Sequence, residues 1–141
     1  MTLAVVVVAW VAAACVDGGA TPPPAGVRPD GFPTGVFAKE FDDDTLGPMR
    51  LSWVFAADGN WAEVPEATAG QSMNTGPARG RYVVDGDLVT LEVDRPTFWG
   101  WTRHTWRFEG DRLITTYDSS ELPFDEAFFA TIDDLPWVRV P

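Results

Sequence analysis

The sequence predicts an all-β domain: a small antiparallel up-and-down β-barrel of about eight strands, with one short helix near the C-terminus. Two observations lead to this prediction. Short segments in which apolar and polar residues alternate recur between residues 35 and 117, and this is the period of a strand with one buried face. Turn pairs such as Asp85-Gly86 separate these segments and favour tight hairpins. Closing such a meander into a barrel removes its exposed edges.

The predicted strands follow one another along the chain with short connections. The second has apolar residues at alternate positions, and the pair Asp58-Gly59 turns it into the third strand. Asp85-Gly86 joins the next two strands, and Gly110-Asp111 leads into the seventh. The predicted strands are residues 35–41, 49–55, 60–64, 79–84, 87–93, 98–108, 113–117 and 136–140. The long segment 98–108 has room for one strand or for two short ones.

Residues 123–132 depart from the alternation of the strands. Phe124, Ala127 and Phe128 recur with the spacing of a helix, and Asp125 and Glu126 suit a first helical turn because carboxylates are stabilised there. This segment is therefore predicted to form the single short helix.

Composition and charge restrict the function. The chain has 141 residues, enough for one domain, and 13% of them are aromatic, including seven Trp. Its net charge of −11 excludes a nucleic-acid binder, which needs a basic surface to meet phosphates. The same charge disfavours attraction to anionic lipid headgroups.

The N-terminus has the features of an export signal. Residues 3–16 are apolar, and as a helix they would rise about 21 Å, which is short of the roughly 30 Å hydrocarbon core of a membrane. The run ends in Ala12-Ala13-Ala14-Cys15, which resembles a bacterial lipobox. Such a motif implies a signal peptide over residues 1–14 and a lipid-modified Cys15 as the first mature residue. The alternatives are an ordinary signal peptide cut near Ala14, which would make the protein a secreted one, and an uncleaved anchor.

These features predict three parts of the chain and a location. The signal peptide is followed by a Gly/Pro-rich tether over residues 15–31, and the barrel domain occupies residues 32–141. The expected location is extracytoplasmic, with Cys15 anchoring the protein to the bacterial cell membrane.

Several sequence motifs resemble those of bacterial lipocalin-like (calycin-type) lipoprotein domains. They are Gly35-Val36-Phe37 near the start, the stretches 53–61, 80–87 and 106–113, and the terminal segment 136–140. Lipocalins carry Gly-x-Trp near the start and a basic residue near the end that packs on this Trp. In this chain Phe37 stands at the position of the Trp, and the resemblance implies that Arg139 stacks on an aromatic ring.

Five residues are predicted to build the interior wall of a ligand site. They are Trp53, Phe55, Trp101, His104 and Trp106. His104, the chain's one histidine, is in phase with Trp106 and would titrate near neutrality if unperturbed. Trp101 belongs to Trp99-Gly100-Trp101, which suits a barrel mouth that stacks on a ligand. The alternatives are a hydrogen-bonded wall histidine and a packed rim without a ligand.

The sequence contains no convincing catalytic or metal-binding constellation. Asp42-Asp43-Asp44 lacks the spacing of a calcium loop, and Ser119-Ser120 lacks the glycines of a nucleophile elbow. With Cys15 as the single cysteine, an intramolecular disulfide and a cysteine zinc site are excluded. The sequence therefore predicts a membrane-tethered binding module for a small apolar or amphipathic ligand, without cofactor or metal. The alternative is a non-enzymatic cell-envelope interaction protein whose barrel is filled by its own side chains; for an enzyme, His104 and scattered carboxylates are the only support.

Overall fold

The computed structural model describes residues 22–44, 47–67, 78–94, 100–121 and 124–141. Within these ranges the chain forms nine strands and one helix. The strands are β1 (Gly26–Val27), β2 (Pro33–Asp43), β3 (Gly47–Phe55), β4 (Asn60–Ala67), β5 (Ala78–Asp85), β6 (Leu88–Val93), β7 (Trp101–Glu109), β8 (Arg112–Ser120) and β9 (Trp137–Arg139), and the helix α1 (Phe124–Ile132) lies between β8 and β9. The predicted signal peptide, Cys15 and the beginning of the predicted strand 98–108 lie outside the described residues.

Strands β2 to β9 form a closed antiparallel barrel. Each strand is hydrogen-bonded to the next one along the chain, and β9 pairs back with β2. This confirms the predicted up-and-down barrel of eight strands with a short helix near the C-terminus. β1 is an additional strand, formed by residues of the predicted tether, and it pairs with the beginning of β2.

Two-residue turns lie at one end of the barrel and the helix lies at the other, so the two ends are unlike. Two-residue turns join β5 to β6 and β7 to β8, and their glycines, Gly86 and Gly110, have φ of 60° and 64°. Glycine adopts this left-handed conformation without the steric penalty of a side chain. We call this the turn end. The opposite end carries α1 and the connections after β2, β4 and β6, and we call it the helix end.

The interior is filled mainly by aromatic and branched side chains. Alternate residues of each strand point inward, so the predicted period of two produces a continuous apolar core. Trp53 and Trp137 stack near its centre, with ring centroids 3.9 Å apart. The other large, fully buried apolar side chains are Phe32, Phe37, Phe55, Leu91, Leu113 and Ile132.

The helix is confirmed, but the face that it buries differs from the spacing noted in the sequence. Phe129 and Ile132 are buried, Phe128 is half-buried and Ala127 is exposed. The predicted pattern set Ala127 in phase with Phe128 and left out Phe129. The reason is tertiary: α1 packs into the barrel wall next to β8, and the position of that wall decides which side of the helix turns inward.

Candidate functional site

Three of the five predicted site residues lie together in the barrel interior. Trp53, Phe55 and His104 are all 0% exposed. The ring centroid of Trp53 lies 5.3 Å from that of His104 and 6.0 Å from that of Phe55. They share the interior because each stands at an inward position of β3 or β7.

Trp106 also points inward, but it lies near the turn end. Its ring centroid is 4.9 Å from that of Phe32, and its Nε1 donates a hydrogen bond to the Gly86 carbonyl at 3.0 Å. Trp106 is half-buried and belongs to the packing that closes this end.

Trp101 lies on the outer face of β7, away from the other four residues. The guanidinium carbon of Arg103 lies 5.3 Å from the Trp101 ring, and both side chains stand opposite the buried Thr102 and His104. The pairing of β7 with β8 shifts between Arg103 and His104. The extra residue is Asp118 in β8, so β7 keeps its alternation. The sheet thus separates Trp101 from the interior, and Trp99 lies outside the described residues.

His104 is surrounded by aromatic rings and has one hydrogen-bonded nitrogen. Its Nε2 lies 3.0 Å from the hydroxyl of Thr102, and its Nδ1 has no hydrogen-bond partner. Burial, with the charge of Lys39 as a second cause, lowers the pKa of His104 to about 3. His104 is therefore neutral at neutral pH, and its Nδ1 can take part in one more hydrogen bond.

Lys39 places a cation inside the barrel. Its side chain is 2% exposed, and its Nζ donates to the backbone carbonyl of Ile132 at 2.9 Å. The same Nζ lies 4.6 Å from the centroid of the Trp137 ring. Burial lowers the pKa of Lys39 to about 8, against the opposing charges of Asp133 and Asp134. Near neutral pH the ammonium is thus mainly charged, although it is withdrawn from water.

Glu63 adds a buried acid beside a small recess. Glu63 is 7% exposed and accepts a hydrogen bond from Trp53 Nε1 at 2.8 Å. The recess is lined by Trp61, Thr102 and Phe129 among others, and the Trp61 Nε1 has no hydrogen-bond partner. The enclosed space is about 10 Å³, and about 260 Å³ when counted out to its open side. The enclosed part is close to the volume that one water molecule needs.

Arg139 stacks on aromatic rings, as the resemblance implies. Its guanidinium carbon lies 5.2 Å from the Phe37 ring and 5.1 Å from the Phe108 ring. Its Nη2 donates to the carbonyls of Gly26 and Thr34, each at 3.1 Å. One side chain of β9 thereby holds β1 and the beginning of β2 in place.

The prediction from sequence missed Lys39, Glu63 and Phe129 as site residues. Lys39 had a usable signal, because the chain's one lysine stands in phase with the inward Phe37. The sequence signal for Glu63 was weaker, because both faces of its strand carry apolar residues. The sequence held no signal for Phe129, because the burial of α1 depends on the barrel wall.

Fold and site together define a class of protein: a closed eight-stranded antiparallel barrel with an aromatic interior that holds Lys39, Glu63 and His104. Comparison of the chain with protein-family models, with curated proteins and with solved structures finds no match. The lipocalin-like resemblance therefore stays a prediction.

Two further properties concern the described part of the chain. Its His, Cys, Asp and Glu side chains form no group of three or more that is placed to hold a metal ion. Its helix lacks the length and the apolar character needed to cross a membrane.

Proposed function

We propose that the chain is an exported, membrane-tethered lipoprotein whose barrel binds a small apolar or amphipathic ligand. The observation that carries the ligand-binding part is the set of polar groups in the barrel interior. Lys39, Glu63 and His104 all lie within the apolar core and are less than a tenth exposed.

These polar groups reduce the stability of the barrel. Their presence in the core therefore supports a role other than stability. Taking a charge or a hydrogen-bonding group out of water is offset only when the group is fully paired. His104 Nδ1 and Trp61 Nε1 have no partner, whereas apolar side chains at these inward positions would fill the interior without this penalty. Apolar walls with a few oriented polar groups are typical of ligand sites.

A binding role suits His104 better than a catalytic one. Its hydrogen-bond partner is the hydroxyl of Thr102, and a pKa of about 3 makes it a weak base. A general base works best when its pKa lies near the operating pH. We therefore propose binding and no reaction.

Export and tethering rest on the apolar residues 3–16 and on Cys15. A lipid chain on Cys15 would hold the domain at the membrane surface without a spanning helix. Cys15→Ser is expected to move the protein from the membrane fraction to the soluble fraction. Retention of this variant in washed membranes would contradict the lipid anchor.

Tight packing favours a second candidate function, that of a cell-envelope interaction protein with a self-filled barrel. The Trp53–Trp137 stack occupies the centre of the barrel, and the enclosed part of the recess beside Glu63 has the size of about one water molecule. Small eight-stranded barrels often have an interior that only side chains fill.

Native mass spectrometry on the Cys15→Ser chain, purified without detergent, separates the two functions. A reproducible added mass that is lost on denaturation supports the carrier and identifies its ligand. We expect Lys39→Met to lower the occupied fraction, whereas Arg107→Gln on the exposed outer face leaves it unchanged. An unliganded mass that persists after incubation with lipid extracts favours the self-filled barrel.

A further inference from the structure

The barrel wall between β2 and β8 contains helix where a strand would otherwise continue. β9 pairs with Phe37 and Ala38 of β2 and with Arg112 and Leu113 of β8. In the described chain, the later residues of β2 and β8 have no strand partner on this side. α1 fills the space between them, so this part of the wall is not held by a continuous hydrogen-bond ladder.

Two hydrogen bonds fasten the end of α1 to the strands on either side of this space. Lys39 on β2 donates to the carbonyl of Ile132 at 2.9 Å, and the backbone N–H of Tyr117 on β8 donates to Asp133 Oδ2 at 2.8 Å. Each bond involves a side chain. The helix can therefore leave the wall without breaking any strand pairing.

Two side chains of α1, Phe129 and Ile132, enter the barrel, and Phe129 is the one that packs on His104. Its ring centroid lies 4.6 Å from that of His104, 5.8 Å from that of Tyr117 and 6.3 Å from that of Trp53. The Tyr117 ring stacks on it at an angle of 16°. If α1 moved out, the vacated space would be bounded by three rings and would fit a flat or aliphatic group of similar size.

The same space lies beside Lys39 and His104, whose capacity for hydrogen bonds and ion pairs α1 satisfies only in part. Lys39 donates to a neutral carbonyl, and the nearby charges of Asp133 and Asp134 offset its burial only in part, since its pKa stays lowered. His104 Nδ1 has no partner. A carboxylate is the group that completes such a site, because a buried ammonium is best satisfied by an anion, and neutral His104 can donate its one N–H, at Nδ1, to the carboxylate while Nε2 accepts from the Thr102 hydroxyl.

We propose that the space filled by Phe129 is the binding site for an amphipathic carboxylate, and that α1 is a plug which this ligand displaces. This inference rests on the proposed ligand-binding function and names its ligand class and entry route. The carboxylate takes the place of the Ile132 carbonyl at Lys39, and one of its oxygens accepts a hydrogen bond from His104 Nδ1. The apolar tail takes the place of the Phe129 ring.

Fluorescence titration with a dansyl-labelled undecanoic acid tests this site in the full chain carrying Cys15→Ser. Phe129→Ala is expected to bind the acid about tenfold more tightly, because the intramolecular competitor is removed. Adding Lys39→Met to Phe129→Ala is expected to weaken the binding of the acid about tenfold, because one charge-assisted hydrogen bond is lost. A dansyl-labelled undecanol should not respond to Lys39→Met, and Thr131→Ala on the exposed side of α1 should not change the binding of either probe.

Hydrogen exchange gives a second measurement that does not depend on these variants folding. Saturating undecanoic acid is expected to speed the exchange of α1 amides in the chain with its natural Phe129, while the strands stay protected. If Phe129→Ala fails to unfold cooperatively, Phe129→Leu takes its place and should tighten binding in the same direction.

The outcomes distinguish the inference from the function on which it rests. Equal affinity for the acid and the alcohol, or no effect of Lys39→Met, overturns the carboxylate site but leaves a ligand-binding barrel. Unchanged exchange of α1 with bound probe overturns the plug. Failure of every folded variant to bind either probe overturns the ligand-binding function for this class of molecule, and with it the inference.

Discussion

A phenylalanine from outside the barrel strands closes each end of the barrel, and the two closures differ in their surroundings. Phe32, just before β2, packs on Phe55 and Tyr82 with ring centroids 5.0 and 5.3 Å away. Phe129, on α1, packs on His104 at 4.6 Å, close to partly satisfied polar groups. The closure at the turn end is built mainly from aromatic rings, with Arg28 on the outer side of Tyr82, whereas the closure at the helix end packs directly on the buried His104.

Hydrogen bonding differs between the ends in the same way. The hydroxyl of Tyr82, a ring that packs on Phe32, donates to the carbonyl of Ala56 at 2.6 Å and is satisfied, although Nη1 of the neighbouring Arg28 has no hydrogen-bond partner. His104 Nδ1 beside Phe129 is not satisfied. Buried groups without partners lower stability, and proteins keep such groups chiefly where function requires them. We therefore expect Phe32 to contribute more to stability than Phe129, and the proposed ligand site lies at the helix end.

The largest predicted effect is the loss of the turn-end closure. Phe32→Ala should lower the free energy of unfolding by about 3–5 kcal/mol, because a fully buried ring leaves a cavity that apolar neighbours cannot refill. Phe129→Ala should cost about 1–2 kcal/mol, since water can enter a polar space next to an open recess. Urea denaturation followed by tryptophan fluorescence measures both values.

A matched control for this pair is Val83→Ala. Val83 is 54% exposed on β5, and its truncation should change the free energy of unfolding by less than about 0.5 kcal/mol. Equal losses in Phe32→Ala and Phe129→Ala would break the comparison between the two ends.

The second largest predicted effect is a loss of stability in acid. It arises at the helix end, from the protonation of His104. The pKa of His104 is about 3 in the folded chain against an ordinary 6.5, so between these values only the unfolded chain binds the proton. The stability from neutral His104 is complete above pH 6.5 and falls by about 1.4 kcal/mol per pH unit below it. Asp133 opposes this loss at lower pH, because burial raises its pKa.

Urea midpoints from neutral to mildly acidic pH check this prediction. The loss should be smaller in His104→Leu, which has no imidazole to protonate, and Asp133→Asn separates the opposing contribution. If His104→Leu loses stability as steeply as the natural chain, His104 is not the group that titrates.

A smaller predicted effect on stability concerns Arg139, near the turn end. Arg139→Met should lower the free energy of unfolding by about 2 kcal/mol, from the lost stacking on Phe37 and the unpaired carbonyls of Gly26 and Thr34. Arg139→Lys should recover part of this loss, because it keeps the charge but not the planar fork. Arg107→Met, on an exposed side chain, is the control. Probe binding should not change in any of these variants, and a change would link Arg139 to the site.

The strands were predictable from sequence because local rules decide them. The glycines at 86 and 110 mark two-residue turns, and the alternation between them fixes the inward face of each strand. Up-and-down closure followed from the short connections. The position of His104 in the interior followed from its phase with Trp106.

The polar interior was not predictable, because it depends on contacts between distant parts of the chain. The Lys39 ammonium is held by the carbonyl of Ile132, 93 residues away in sequence. The burial of Phe129 follows from the shortness of β9, which leaves space in the wall. No local pattern encodes that length. Trp101 is the opposite case, because strict alternation in β7 already sets it apart from His104, and a bulge in β7 would be required to bring it inside.

Trp101→Ala should have the smallest effect on stability. It tests whether a side chain on the outer face of β7 takes part in ligand binding. Trp101 is half-buried on the outer face and stacks on Arg103, so its truncation should lower the free energy of unfolding by less than about 1 kcal/mol. Binding of the labelled undecanoic acid should be unchanged, while Trp53→Ala at the interior wall should abolish it or unfold the chain. Weaker binding in a stable Trp101→Ala variant would place a ligand contact on the outer rim of the helix end and would restore the site as it was predicted from sequence.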